Sequence, residues 1–327
     1  MSADEPVPIS CALMPDAPVA AMAELAQLAE GLGYTRCWVY DEGLVARDVY
    51  VTLTAIALVT SRIPLGPGIT NPYVRHPGAT AAAIASLDEL SGGRAFVGIG
   101  AGGGLTLDPM RISRQRPLTA VRDMVEALRL LFSGAEVDQE SHVAAFRNAR
   151  LTYGRPDIEI ILAGRGPKMT AMGGEIADGF NLSYIHKGLL GEHVTSLRRA
   201  AAGRPFRVTY STLIAATDAD LRQARSQLTF RLVDSPPVVK EMIGMTPEDV
   251  ERIRAALNEG GPAMAAEHVK EEWVEHFIIA GSAAECRREL VELMTTNGID
   301  EFQLPVLEAS GGAEMIERAA SMLGPQS

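Results

Sequence analysis

Basic residues, cysteines and long apolar runs are all scarce in this chain, and each scarcity removes a class of function. The 30 Lys and Arg are outnumbered by 41 Asp and Glu, for a formal net charge of -11. A nucleic-acid groove or an anionic membrane surface rewards clustered cations, so neither is expected as the main partner, and any anionic ligand must be held by local groups. Cys11, Cys37 and Cys286 stand far apart with no CxxC pair, which indicates neither a disulfide framework nor a zinc knuckle and fits a reducing cytoplasm. No apolar window approaches a membrane-spanning length. The first residues carry Asp4, Glu5, Pro6 and Pro8 in place of a basic start and an apolar stretch, so no secretory signal is read there and a cytoplasmic setting is expected. The six histidines include no HExxH or other close ligand pair, so no protein-bound metal is expected. No GxSxG elbow supports a serine hydrolase.

What the chain does contain is material for a large core: 47% of its 327 residues are hydrophobic and only 22% charged. That length accommodates two average domains or one eight-stranded α/β barrel. Short β-like runs alternate with longer helical ones. Strands are predicted over 8–13, 36–40, 63–70, 94–99, 158–163, 179–182, 207–216 and 301–306, with early helices over 19–32, 50–60 and 77–90. Pro77 sits where a first helical turn accepts proline. Strand–helix alternation calls for a parallel sheet, and eight units favour closure into a (β/α)8 TIM barrel over an open sheet. The long helical stretch at 217–300 reads as an insertion in the seventh βα unit of a single domain, 1–327, either a lid over the pocket or a packed peripheral subdomain. The last residues, 324–327, are expected to fray.

In such a barrel the chemistry belongs to the loops after the strands. Four are unusual: Tyr40-Asp41-Glu42-Gly43, the stretch 66–72 around Gly68 and Ile69, the glycine run 100–104, and Ala163-Gly164-Arg165-Gly166-Pro167-Lys168. Residues 98–103 match GxGxxG after a strand, but Asp108-Pro109 and Arg116-Pro117 put the next helix well downstream, and the strand is fourth in order. A nicotinamide site, which would require an open sheet, is therefore not expected, and the glycines are read as room for backbone to approach a flat ring. Segment 164–168 precedes a helix of small and apolar residues; its amides, its proline and the cations Arg165 and Lys168 make a phosphate cradle, or else a plain turn with solvent-facing charges. It lacks the Gly-Lys-Ser/Thr ending of a P-loop. Asp41 and Glu42 are adjacent carboxylates at a strand end, where burial would turn one into a proton donor, although loop acids are usually solvated. His76 either caps a helix or reaches the site. Trp38 and Trp273 read as packing.

From Leu65 to Tyr73, through Arg75-His76-Pro77 and on across 81–94, the chain resembles methylenetetrahydromethanopterin reductase, a deazaflavin-dependent branch of the luciferase-like superfamily. The resemblance continues through 98–102, 163–169 and 174–179 and covers most of 8–310. It implies a luciferase-like (β/α)8 barrel that holds coenzyme F420, or FMN in related monooxygenases, and moves a hydride to a small-molecule substrate. It also implies a nonprolyl cis peptide at Gly68–Ile69, making a bulge behind the coenzyme ring with Thr70 next along the chain. Gly100, Ala101, Gly102 and Gly103 would flank the ring. Ala163, Gly164, Arg165, Gly166, Pro167, Lys168 and Met169 would bind the phosphate-bearing tail, and Asn181 would add a polar contact. Asp41 and Glu42 would lie near the ring edge as the catalytic pair, Glu42 standing where many relatives have histidine and serving as proton donor. Where the methanogen reductases carry a carboxylate at the end of strand one, this chain has Ala12. A different substrate is expected, with a C=N or a conjugated C=C. An FMN-dependent monooxygenase and a non-catalytic flavin-binding relative are the alternatives. Barrels of this superfamily pair through helices flanking strands two and three, so a homodimer using the helix at 79–90 is implied.

Overall fold

The predicted strands are short, apolar and spaced by longer helical segments, and in the computed structural model, which describes residues 5–324, eight of them close into one cylinder. Of the end expected to fray, 324–327, residues 325–327 lie outside the described residues, and the Gly324 amide donates to the Ala320 carbonyl at 2.8 Å. The strands are β1 (Ile9–Leu13), β2 (Cys37–Val39), β3 (Leu65–Pro67), β4 (Phe96–Ile99), β5 (Glu159–Ala163), β6 (Gly179–Ser183), β7 (Arg207–Ser211) and β8 (Glu301–Val306). All are parallel, in the order β3-β2-β1-β8-β7-β6-β5-β4. Bridges from Leu65 to Ala95 and from Thr70 to Ile99 join β3 to β4 and shut the barrel. An open sheet is thereby excluded.

Among the described residues eight helices form the outer ring, each packed on the next: α1 (Val19–Gly31), α2 (Val49–Val59), α3 (Pro77–Ser91), α4 (Pro117–Phe132), α5 (Pro167–Ile176), α6 (Leu190–Ala201), α7 (Ala283–Asn297) and α8 (Gly312–Leu323). Their ends follow local chemistry. Asp48 accepts from the amides of Tyr50 and Val51 at 2.9 Å to start α2. His76 caps α3, its Nδ1 accepting from the Gly78 amide at 3.1 Å, which decides between its two readings. Ser282 and Glu285 form a reciprocal capping box on α7. No helix among the described residues is long and apolar enough to cross a membrane.

Alternate strand residues fill the barrel in layers. At the amino-terminal end of the strands Arg36, Glu159, Arg207 and Glu301 make a charge network; Glu301 has no exposure and lies 3.6 Å from both arginines. Above it Ala12, Trp38, Phe96 and Ile161 pack into an apolar plug. On the β6–β8 side the lining turns polar, with Asn181 donating from Nδ2 to Gln303 Oε1 at 3.0 Å.

The structure departs from expectation in three places. The seventh strand, predicted over 207–216, ends at Ser211; the Thr212 hydroxyl donates to the Phe277 carbonyl, and Ile214–Ala215 pairs instead with Ile279–Ala280. A hairpin, Val137–Glu140 with Ala145–Ala149, was not anticipated, because its mostly polar residues mask the inward Val137 and Phe146. A one-turn helix, Gly104–Leu107, follows the glycine run at once, so the downstream start expected there describes α4 only. The helical stretch after β7 comprises Asp218–Val233, Pro237–Met242, Pro247–Ala265 and Glu271–Val274, packed around its own apolar cluster with Leu228, Ile253 and Trp273 fully buried. Within 217–300, α7 belongs to the ring, since it packs between α6 and α8.

Candidate active site

At the carboxyl ends of the strands, the chain after β3 makes a bulge whose Gly68–Ile69 peptide bond is cis. It is stitched to β4 by bonds of 2.9 Å from the Thr70 amide to the Gly98 carbonyl and from the Gly100 amide to the Thr70 carbonyl. Ile69 is half-buried, its side chain lying against β4. A Cβ at Gly98 would stand 2.9 Å from Ile69 Cγ2, and one at Gly100 only 2.2 Å from Ile69 Cδ1. At Gly98 and Gly100 the space a side chain would take is filled by Ile69. Trp38 lies beneath, 2.7 Å from the position of a Gly68 Cβ and edge-on to Phe96 at 4.5 Å. Only residues without a side chain allow backbone and indole this close.

Asp41 and Glu42 follow β2 at the same mouth. Asp41 Oδ2 accepts from the Thr70 hydroxyl at 2.7 Å, tying the β2 loop to the bulge. Glu42 Oε2 accepts from Thr106 at 2.9 Å, and the one-turn helix carrying Thr106 packs on 43–45. Burial pushes both carboxyls above their ordinary range; the hydroxyl partners, with Arg75 near Asp41 and Arg231 near Glu42, oppose that shift. Two half-buried acids held by single hydroxyls can retain a proton that a solvated acid would lose.

The remaining residues separate. Gly102 turns the glycine run with φ 72°, its carbonyl bound by Arg114 at 3.0 Å, while Ala101 is half-buried and a Cβ at Gly103 would meet nothing within 4 Å. Ala163 is buried at the end of β5, Met169 packs in the core beside Gly164, and Pro167 opens α5. Gly166 is open on the side a Cβ would occupy. Of the two cations, Lys168 is exposed and borders a surface cleft of about 560 Å³ with Arg122 and Glu175. Arg165 is the half-buried one, its pKa lowered by burial and by Arg231. Asn181 is buried with Oδ1 unpartnered. Thr106, Tyr184 and Arg231 were not anticipated: Thr106 is an ordinary loop threonine, and Arg231 is one arginine among several on a helix far down the chain, with no motif to single it out.

A closed parallel barrel with a cis bulge, an aliphatic side chain and paired acids at the carboxyl ends of its strands is a (β/α)8 barrel with a candidate active site at that mouth. The model for the luciferase-like monooxygenase family matches residues 6–301. The chain belongs to that family. It is 33% identical over 290 residues to the 5,10-methylenetetrahydromethanopterin reductase of Methanolobus tindarius, covering 86% of this chain and 89% of the relative. It is 34% identical over 279 residues to the reductase of the same name from Archaeoglobus fulgidus, covering 82% and 84%. The solved coenzyme F420-dependent tetrahydromethanopterin reductase of Methanopyrus kandleri superposes with a TM-score of 0.87 at 28% identity, over 98% of this chain and 99% of that one.

Proposed function

We propose that this protein transfers a hydride from reduced coenzyme F420 to the carbon of a C=N or conjugated C=C bond in a small organic substrate. The observation that carries the reading is the placing of a half-buried Glu42, whose pKa burial raises, at the same end of the barrel as Ile69, in a chain that superposes on an F420-dependent reductase. The residues fit such a coenzyme. Ile69 offers an apolar surface to a flat ring, Gly103 and Gly166 leave open space, Asn181 Oδ1 lacks a partner, and the α5 amino terminus opening at Gly166 and Pro167 offers its amides to an anionic tail. When bound, the reduced coenzyme supplies the hydride.

The chain's own part is orientation, exclusion of water and delivery of the proton. Glu42, fixed by Thr106, gives its proton to the substrate nitrogen or to the carbon or oxygen that gains electron density as hydride arrives. Asp41 is occupied by Thr70 and positions the bulge. The helices between Asp218 and Val274 serve as a lid over this mouth. Ala12, fully buried among Trp38, Phe96 and Ile161, makes the β1 side of the plug apolar and argues for a substrate other than a methanopterin. Exposed Val51 and Leu58 on α2 and Leu90 on α3 support a homodimer pairing through these two helices.

The description of the family as monooxygenases favours one second reading, FMN-bound oxygen chemistry on the same wall. Equilibrium titration with coenzyme F420, FMN and NADPH, followed by absorbance and intrinsic fluorescence, separates them. Selective saturable binding of the deazaflavin is expected; preference for FMN moves the case to oxygenation, and binding of neither removes the cradle assignment.

A further inference from the structure

The helical insertion delivers a cation to the mouth. On the helix Asp218–Val233, Arg231 holds its guanidinium carbon 3.5 Å from the centre of the Tyr184 ring. Tyr184 is 3% exposed, follows β6, and has a φ of 52°. β5 and β6 pair with Ala163 opposite Asn181, so the loops that carry Arg165 and Tyr184 leave neighbouring strand ends and Arg231 stacks beside the one that holds Arg165; the same guanidinium acts on Tyr40 and Glu42 after β2 and on Arg165. Its own hydrogen bond is one from Nη1 to the Gln227 carbonyl at 3.3 Å. Among the described residues neither Arg231 nor Arg165 forms a salt bridge, and the Arg165 side chain makes no hydrogen bond. The nearby carboxylates do not close on them: Glu42 Oε2 is engaged by Thr106, and Asp234, which attracts Arg165, is exposed. Two planar forks of like charge in a half-buried mouth suit a bidentate oxyanion, which would offset their repulsion and accept their N–H hydrogen bonds.

We propose that Arg231 and Arg165 form an oxyanion subsite on the substrate side of the mouth, and that the substrate carries a carboxylate or phosphate near the bond reduced. The assignment of a side rests on the hydride-transfer reading, because the wall for the ring is on β3 whereas Arg231 comes from the insertion and stands beside Glu42. Arg165 shares the loop read as holding the coenzyme tail, so the phosphate of the coenzyme is the second source of the same chemistry.

Inorganic phosphate is the probe. Protein saturated with coenzyme F420 is melted in rising phosphate against chloride of equal ionic strength, and coenzyme affinity is measured separately by fluorescence. Phosphate should raise the Tm of the wild type saturably, and Arg231→Met and Arg165→Met should each raise the half-saturating concentration ~10-fold or more, as loss of one charge-assisted contact does. Coenzyme affinity should stay within about two-fold of wild type in Arg231→Met, since that side chain is assigned to substrate. Arg231→Lys, which keeps the charge but not the fork or the stack, should fall between. No phosphate response in the wild type, or an unchanged response in both methionine variants, overturns the proposal. A ~10-fold loss of coenzyme affinity in Arg231→Met that is absent for the same ring without its phosphate tail assigns the anion to the coenzyme and overturns the substrate assignment. If the wild type binds no coenzyme F420 but keeps a phosphate response that both variants lose, the coenzyme reading fails and the subsite stands.

Discussion

A single methyl group added at Gly100 reports on whether Ile69 is the wall of the pocket. An ideal Cβ there lies 2.2 Å from Ile69 Cδ1, 3.3 Å from Cγ1 and 3.5 Å from the Ala163 carbonyl oxygen. Carbon atoms settle at roughly 3.5–4.0 Å, so Cδ1 must retreat by more than ~1 Å. Ile69 Cγ2 already lies against β4 at Gly98, so displacement of the tip toward the mouth is the outcome expected. Gly100 is outside the left-handed region, so alanine suits its backbone and the whole effect is steric. Overpacking of this kind costs about 1–3 kcal/mol, and an isoleucine tip pushed into the ring's space should weaken coenzyme F420 binding ~10-fold or more. Ile69→Val removes Cδ1 alone, at about 0.5–1.5 kcal/mol by itself. The pair Gly100→Ala with Ile69→Val should then recover stability and affinity, with a coupling of ~1–2 kcal/mol. Urea unfolding and coenzyme titration of the four proteins measure it. Effects that add to within about 0.5 kcal/mol would refute the wall.

Glu42→Gln should lower turnover by ~10²–10⁴ while leaving coenzyme affinity near wild type, the mark of a lost proton donor. Because an acid works only while protonated, the rate should fall as pH rises through the pKa of Glu42, at a pH above the ordinary carboxylate range since burial raises it; a wild-type profile flat across that range contradicts the role. Arg231→Met removes a cation that lowers this pKa and should move the same limb to higher pH, an effect Thr106→Val should also produce. Glu301→Ala strips a fully buried carboxylate from Arg36 and Arg207 and should cost about 3 kcal/mol in urea unfolding; since Arg207 is partly exposed, a loss under ~1 kcal/mol would mean solvent screens the network. Leu58→Arg, at a side chain 69% exposed on α2, should convert a dimer to monomer in sedimentation; an unchanged oligomer places the interface elsewhere.

By itself the sequence determined the βα rhythm, and with it the barrel. Apolar strands such as Phe96–Ile99 and helix starts such as Pro77 are set by residues adjacent in the chain, so local chemistry makes them legible. The loops that bring Asp41, Glu42, Gly68 and Ile69 to one end were legible for a related reason: a closed parallel barrel puts the carboxyl ends of all its strands on the same face. Tertiary structure alone decided what each of those residues touches. That Gly100 is small for Ile69, that Lys168 borders an outer cleft while Arg165 turns inward, and that Thr106 holds Glu42 are contacts between segments dozens of residues apart. Arg231 is the extreme case, since 189 positions separate it from Glu42 and only the packing of the insertion on the barrel brings a guanidinium over Tyr184. A sequence records side-chain chemistry and local periodicity; which distant side chains share a low-dielectric mouth is settled by chain closure, and so is the function they have in common.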